Sequence, residues 1–442
     1  MKQVTSFLVT QDPAAQHLTL SGLNPVFSDD PNHSLFFFLT LAPCYCPGLY
    51  ASLSSLTLHR LSPIPSHSLS SLCRLPSLTS LSVLETSINP SGNFRFSSFS
   101  RLHRLVLDCP DPSELNFGTF YTYESEPFER LRELHFSRVT NHLLQEVGAL
   151  TRLEAFSCTC SEEVTQWGLR NLNRLTRLTR LQVAPANLED HQMQLQFRNN
   201  FLPDISRVCQ RPTPNSKHAC YCDFRLYNPK YPCLDGGVWQ VVGALQGLQQ
   251  LGLHGVARSS QDLHAFTALT HLTSLHITGT NLSDAAYFEG LSQLRDLGLA
   301  GCSMDVASYM WGWSRSMPLL QSLDLSATGV IYRGASQLYL LEHLERVKLQ
   351  QYCNLHVALL RHVSRVPQLK ELDVGFNNVQ LGWRRPIRDG KQVARLCVRG
   401  CGWSDQQIHG CMACGAWHVV HGVQCMACGA WHVVNSMWCM AC

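Results

Sequence analysis

A short apolar frame, L-x-x-L-x-L with Ile, Val or Phe allowed in place of Leu, recurs along most of this chain and limits what it can fold into. The frame starts at Leu53, Leu78, Leu102, Leu131, Leu153 and Leu178, and again at Leu248, Leu272, Leu294, Leu320, Leu344, Leu369 and Val393. A fainter copy stands at Ala15, Leu18 and Leu20. Within each run the starts lie 22 to 29 residues apart, the length of one supersecondary unit in a repeat array. The alternation Leu-x-Leu sends side chains to opposite faces of a short strand, so each frame has one face to bury and one to leave outward. No unit can bury its leucines alone. Stacking solves this by laying the strands side by side in a parallel sheet, with later apolar positions such as Leu282, Phe288 and Leu291 closing the coil behind it.

A small polar residue stands three places beyond the strand in many units: Thr86, Thr280, Cys302, Thr328, Asn377 and Cys401. Facing inward where the chain turns, it can hydrogen-bond backbone groups that would otherwise be unpaired. Cys302 and Cys401 in this slot, and Cys158 at the last apolar position of its strand, therefore read as buried structural thiols.

The two fullest units are Leu272-x-x-Leu275-x-Ile277-x-x-Thr280-x-Leu282 and Leu369-x-x-Leu372-x-Val374-x-x-Asn377-x-Val379. On these residues the chain resembles the leucine-rich repeat proteins of the ribonuclease-inhibitor-like superfamily over roughly residues 50–403. The unit from Leu272 to Leu294 is similar to repeats of trypanosomatid leucine-rich repeat proteins. The resemblance implies an α/β solenoid of about 13–15 repeats, with a curved parallel sheet on the concave face and short helices or loops on the convex face. It also implies a non-catalytic protein–protein interaction scaffold that works through the concave face.

Composition narrows the class. With 67 leucines among 442 residues and 45% apolar residues, the chain can bury a large core and is not disordered as a whole. A net charge of +3 exerts no general pull on nucleic acid or an acidic membrane. The N-terminus lacks a signal-peptide apolar region. The run Leu35–Leu41 is far shorter than the ~20 residues of a membrane span, so the expectation is a soluble, cytoplasmic protein with reduced thiols.

The expected organisation is an N-terminal cap or degenerate repeat at 1–50, repeats over 51–183, an insertion at 184–247, repeats over 248–405 and a tail at 406–442. The insertion carries one weak copy, Tyr221-x-x-Phe224-x-Leu226. Its Cys209, Cys220, Cys222 and Cys233, with His218, lack the paired C-x-x-C spacing of common zinc sites, which disfavours a metal-binding insertion. The tail repeats CMACGAWHVV with a 14-residue period and holds six of the 20 cysteines. A 14-nucleotide unit read through three frames would encode nearly the same string, which makes the tail translated tandem DNA, poorly ordered. The rival reading is a zinc module on Cys411, Cys414, Cys425 and Cys428, appended to the substrate-recognition subunit of a ubiquitin-ligase-type complex. A divergent or fragmentary gene product without retained function is the remaining alternative.

Outward strand positions supply the candidate partner-binding residues. Read in sequence they are His254 beside His276, then Asp296 and Asp324, Arg346 with Lys348, Glu371 with Asp373, and Arg395 with Arg399. Gly252, Gly298, Gly375 and Ala300 would leave room for partner side chains. His254, His276 and Asp296 meet a minimum ligand list but lie on an open sheet without a nucleophile, and GxxxxGK[ST], HExxH and GxSxG are absent. No enzyme activity, cofactor or metal is expected.

Overall fold

Each frame becomes a strand that begins two residues after the frame's first residue. In the computed structural model the described residues are 16–21, 47–59, most of 61–89, 99–108, most of 129–185, 238–255, 266–280, most of 282–302, most of 306–349, most of 362–374, 395–397 and 418–420. The chain divides into two compact units: Met1–Ala186 with Cys233–Gln249, and Asn187–Pro232 with Gln250–Cys442.

In the first unit the strands are β1 (His17–Ser21), β2 (Ser55–His59), β3 (Ser80–Leu84), β4 (Arg104–Asp108), β5 (Glu133–Val139), β6 (Ala155–Cys160) and β7 (Arg180–Pro185). Each pairs in parallel with the next. In the second they are β8 (Gln250–His254), β9 (Ser274–Thr278), β10 (Asp296–Gly298), β11 (Ser322–Asp324), β12 (Arg346–Lys348), β13 (Glu371–Asp373), β14 (Arg395–Cys397) and β15 (His418–Val420), again parallel in chain order. The thirteen frames and the faint copy at Ala15 account for β1 to β14. The sheet then runs one strand further into the cysteine-rich tail, where β15 pairs Val419 with Leu396. A β-branched Val-Val pair extends the ladder there although no leucine marks it.

The frame leucines form the core. Leu53, Leu56 and Leu58 of one unit and Leu272, Leu275 and Ile277 of another are buried. At ~1.5–3 kcal/mol for each such side chain taken from water, the stacked rows are the main driving force of folding. Behind the strands of the second unit, Phe266, Phe288 and Trp313 continue the core, with Phe266 edge-on to Phe288 at 5.6 Å and Phe288 6.3 Å from Trp313. In the first unit short helices occupy that layer: α1 (Pro47–Ser52), α2 (Asn141–Val147), α3 (Gln166–Leu169) and α4 (Val238–Ala244). Thr140 caps α2, its Oγ1 accepting from Leu143 N at 3.3 Å. In the second unit that layer includes α5 (Val306–Ser316), which carries Trp313.

The polar slot behaves as its chemistry requires. Thr86 Oγ1 donates to Leu84 O at 2.8 Å and accepts from Leu61 N at 3.1 Å. Thr280 and Thr328 donate to Thr278 O and Leu325 O, and Cys302 Sγ donates to Ile277 O at 3.1 Å. One place earlier in the unit the backbone turns left-handed, at Glu85, Arg138, Gly255, Gly279 and Gly301. The long interval between Leu178 and Leu248 leaves the stacking pattern intact: Gln249 N–H donates to Thr179 O at 2.8 Å, as Thr179 N–H does to Glu154 O. The weak copy Tyr221–Leu226 and the cysteines around it lie outside the described residues.

Candidate functional site

Parallel register turns the outward positions of the second unit into rows. The first row runs Ser274, Asp296, Ser322, Arg346, Glu371, Arg395, and the second runs His276, Gly298, Asp324, Lys348, Asp373, Cys397. Signs therefore alternate within each row: Arg346 is flanked by Ser322 and Glu371, and Lys348 by Asp324 and Asp373. Arg346 and Lys348 are exposed, while the four neighbours are half-buried.

The two histidines are not side by side. The register sets His254 opposite Thr278 and His276 between Gly252 and Gly298, so the two are diagonal neighbours with separate partners. His254 Nδ1 and Thr278 Oγ1 hydrogen-bond at 2.6 Å. Burial, reinforced by the charge of His276, pushes the His254 imidazole down to about 4, so it is neutral at physiological pH. Asp296 and Asp324 likewise fall in different rows.

His276 lies across β10. Its Nε2 reaches Asp296 Oδ2 at 2.9 Å, and Ser274 Oγ donates to the same oxygen at 3.4 Å. Burial raises the Asp296 carboxyl. Hydrogen bonds from His276 and Ser322 and the charges of His276 and Arg346 outweigh that, and hold it below its ordinary value. Gly298 makes the arrangement possible, because a Cβ there would sit 2.2 Å from His276 Nδ1. The space expected over Gly298 for a partner's side chain is thus filled by His276. Asp324 is also engaged at home, its Oδ1 accepting from Ser326 N at 2.9 Å.

Arg395 stands on β14, while Arg399, Gly375 and Cys411, Cys414, Cys425 and Cys428 lie outside the described residues. Thr278, Ser274 and Ser322 also stand at outward strand positions, and register adds their partners, His254, Asp296 and Arg346. Among the described residues no group of three or more His, Cys, Asp and Glu side chains is set to hold a metal ion, and no helix is long and apolar enough to cross a membrane.

Among the described residues, the thiols of Cys158, Cys160 and Cys302 are buried in the core. Burial pushes Cys302 up to about 12, and in the first unit the hydrogen bond that the Cys158 thiol donates to Cys160, together with burial, holds Cys158 well above the usual thiol range. Cys73 lines a cavity of about 280 Å³ between the turns of two repeats in the first unit, and burial raises it to about 12 as well.

No family model matches the chain, and no curated protein matches it. Solved structures similar to it include TLR13 in complex with ssRNA13, at 18% identity over 79% of this chain and 46% of that one, with a TM-score of 0.43. A leucine-rich repeat protein of Leptospira interrogans is similar at 15% identity over 91% of this chain and 99% of that one, TM-score 0.41. A TDR receptor is similar at 15% identity over 81% and 53%, TM-score 0.41. The chain spans about half the length of the TLR13 and TDR receptor structures. Parallel strands set one to each leucine frame, with a buried Thr or Cys tying down the turn at Thr86, Thr280, Cys302 and Thr328, give each unit the leucine-rich-repeat fold.

Proposed function

We propose that this chain is a non-catalytic scaffold that binds a protein partner through the outward face of β9 to β13. The observation that carries the reading is the ordered charge pattern there: exposed Arg346 and Lys348 stand between Ser322, Glu371, Asp324 and Asp373 on an open sheet. Alternating charge in fixed rows selects a complementary surface and fixes its register. The engaged groups, His276 with Asp296 and His254 with Thr278, form a pre-set rim on one side of it. Burial raises the thiols of Cys302 and Cys158 above the usual range, so neither is an activated nucleophile.

The test is affinity purification with the full chain, comparing wild type with Lys348→Gln/Asp373→Asn. Asp324 is spared because it caps its own turn. Co-purifying proteins should be lost or reduced about tenfold while the melting temperature is kept. An unchanged set of partners at unchanged yield would place the interface elsewhere.

A further inference from the structure

Four consecutive repeats of the first unit enter their strands through the same tetrapeptide, an apolar residue, any residue, Arg and Leu: Phe99-Ser100-Arg101-Leu102, Phe128-Glu129-Arg130-Leu131, Leu150-Thr151-Arg152-Leu153 and Leu175-Thr176-Arg177-Leu178. Three of these close as turns, Leu102 N donating to Phe99 O, Leu153 N to Leu150 O and Leu178 N to Leu175 O. The repeats are locked in step just after them, with Arg132 N bonded to His103 O, Glu154 N to Arg132 O and Thr179 N to Glu154 O, each at 2.8 Å. The four arginines therefore leave equivalent backbone positions along one edge, and all four are exposed.

The fold does not demand arginine there. The same place holds Ser77, Gly247, Gln293, Leu319 and Gln368 in other repeats. Among the described residues of this edge arginine also outnumbers acid. Segments 101–104, 129–133, 151–155 and 176–180 hold seven Arg against three Glu. Glu133 is taken by Arg104 and Arg180, and Glu154 by Arg132 at 3.3 Å. Arg101 and Arg152 each give one N–H to a carbonyl of the preceding repeat, Pro76 O and Glu129 O, which aims them along the edge.

We infer that this arginine column, Arg101, Arg130, Arg152 and Arg177, is a docking edge for an acidic segment of a protein, separate from the sheet face proposed above. At the ~4.8 Å spacing of neighbouring strands the column spans roughly 14 Å, the reach of about five extended residues. Fork-shaped guanidinium groups suit carboxylates, and rows of arginine recognise acidic motifs. A nucleic-acid strand fits less well, because the residues between apolar anchor and Arg are Ser100, Glu129, Thr151 and Thr176, which give bases no aromatic ring to stack on.

The experiment measures fluorescence anisotropy of a labelled polyglutamate peptide of about 20 residues with the full chain, at low and at physiological salt. Arg130→Gln/Arg177→Gln is the key variant, since among the described residues these two arginines make no carbonyl bond that orders the edge. Its affinity should fall about tenfold. Arg130→Lys/Arg177→Lys should keep most of the binding. The control Arg295→Gln/Arg365→Gln, which removes two exposed cations of the second unit, should change it less than about twofold. The inference is overturned by wild-type affinity in the Arg130→Gln/Arg177→Gln protein, by no binding in the wild type, or by tighter binding of an oligothymidylate of equal charge.

Discussion

Replacing Gly298 by Ala is the sharpest probe of the sheet face, because it adds one methyl group to the seat of His276. The new Cβ would lie 2.2 Å from Nδ1 and 3.0 Å from Cγ and Cε1 of the ring. Restoring ordinary contact at about 3.4 Å moves the ring by roughly 1.2 Å, which stretches the 2.9 Å bond to Asp296 beyond hydrogen-bond range. The two side chains are 40% and 34% exposed, so solvent screens the pair and its loss costs about 0.5–1 kcal/mol. Ala also stiffens the unfolded chain, which offsets about 0.4–1 kcal/mol. The diagnostic quantity is therefore a coupling. In a double-mutant cycle by urea unfolding, Gly298→Ala should destabilise the wild type by more than it destabilises the His276→Ala protein, the difference being about 1 kcal/mol. The coupling should be present at pH 6 and should shrink as the pH falls through the lowered pKa of Asp296, since a carboxylate held below its ordinary value stabilises the fold only while ionised. Equal effects of Gly298→Ala in both backgrounds would refute the seat.

Other consequences follow from single residues. Gly279 has φ +62°, so Gly279→Ala should cost about 1–2 kcal/mol and lower the melting temperature, whereas Gly247→Ala, whose nearest contact would be 3.8 Å, should not. Glu146 is buried at the side-chain level, at 8% exposure, with one oxygen unpartnered and His142 3.5 Å from the other, and burial pushes its carboxyl up to about 7. An acid raised in this way weakens the fold as pH rises from its ordinary range towards 7. Glu146→Gln should thus stabilise at pH 8 by up to about 3 kcal/mol and be neutral near pH 4, as denaturation at the two pH values would reveal. Iodoacetamide at pH 8 followed by peptide mass mapping should leave Cys158 and Cys302 unmodified in the native protein and alkylate both after denaturation; native-state labelling would contradict their burial.

The strands were legible because two periods coincide, the two-residue alternation and the 22- to 29-residue spacing, and both follow from burying one face of a stacked sheet. The Thr86, Thr280 and Cys302 slot was legible for a similar reason, since an inward polar group next to a turn has few other uses. The cross-strand partners were not. They depend on register, which pairs His276 with Gly252 and Gly298 rather than with His254. The lean of a side chain is hidden as well: nothing in a single frame announces that Gly298 carries the ring of its neighbour, or that Arg180 reaches past Ala155 to Glu133. Left-handed turns at Gly255, Gly279 and Gly301 are visible as glycine, but the same turn at Glu85 and Arg138 has no residue signature. The strand His418–Val420 escaped because it lacks leucine.

We propose that a partner protein meets the outward residues of the second unit's strands. A photo-reactive amino acid placed at position 348, outward on β12, and separately at 343, exposed in the turn before that strand, tests it within cells by crosslinking and mass spectrometry. One discrete protein adduct should form from position 348 and be absent or much weaker from 343. Equal adducts from both positions, or an adduct from 343 alone, would contradict it.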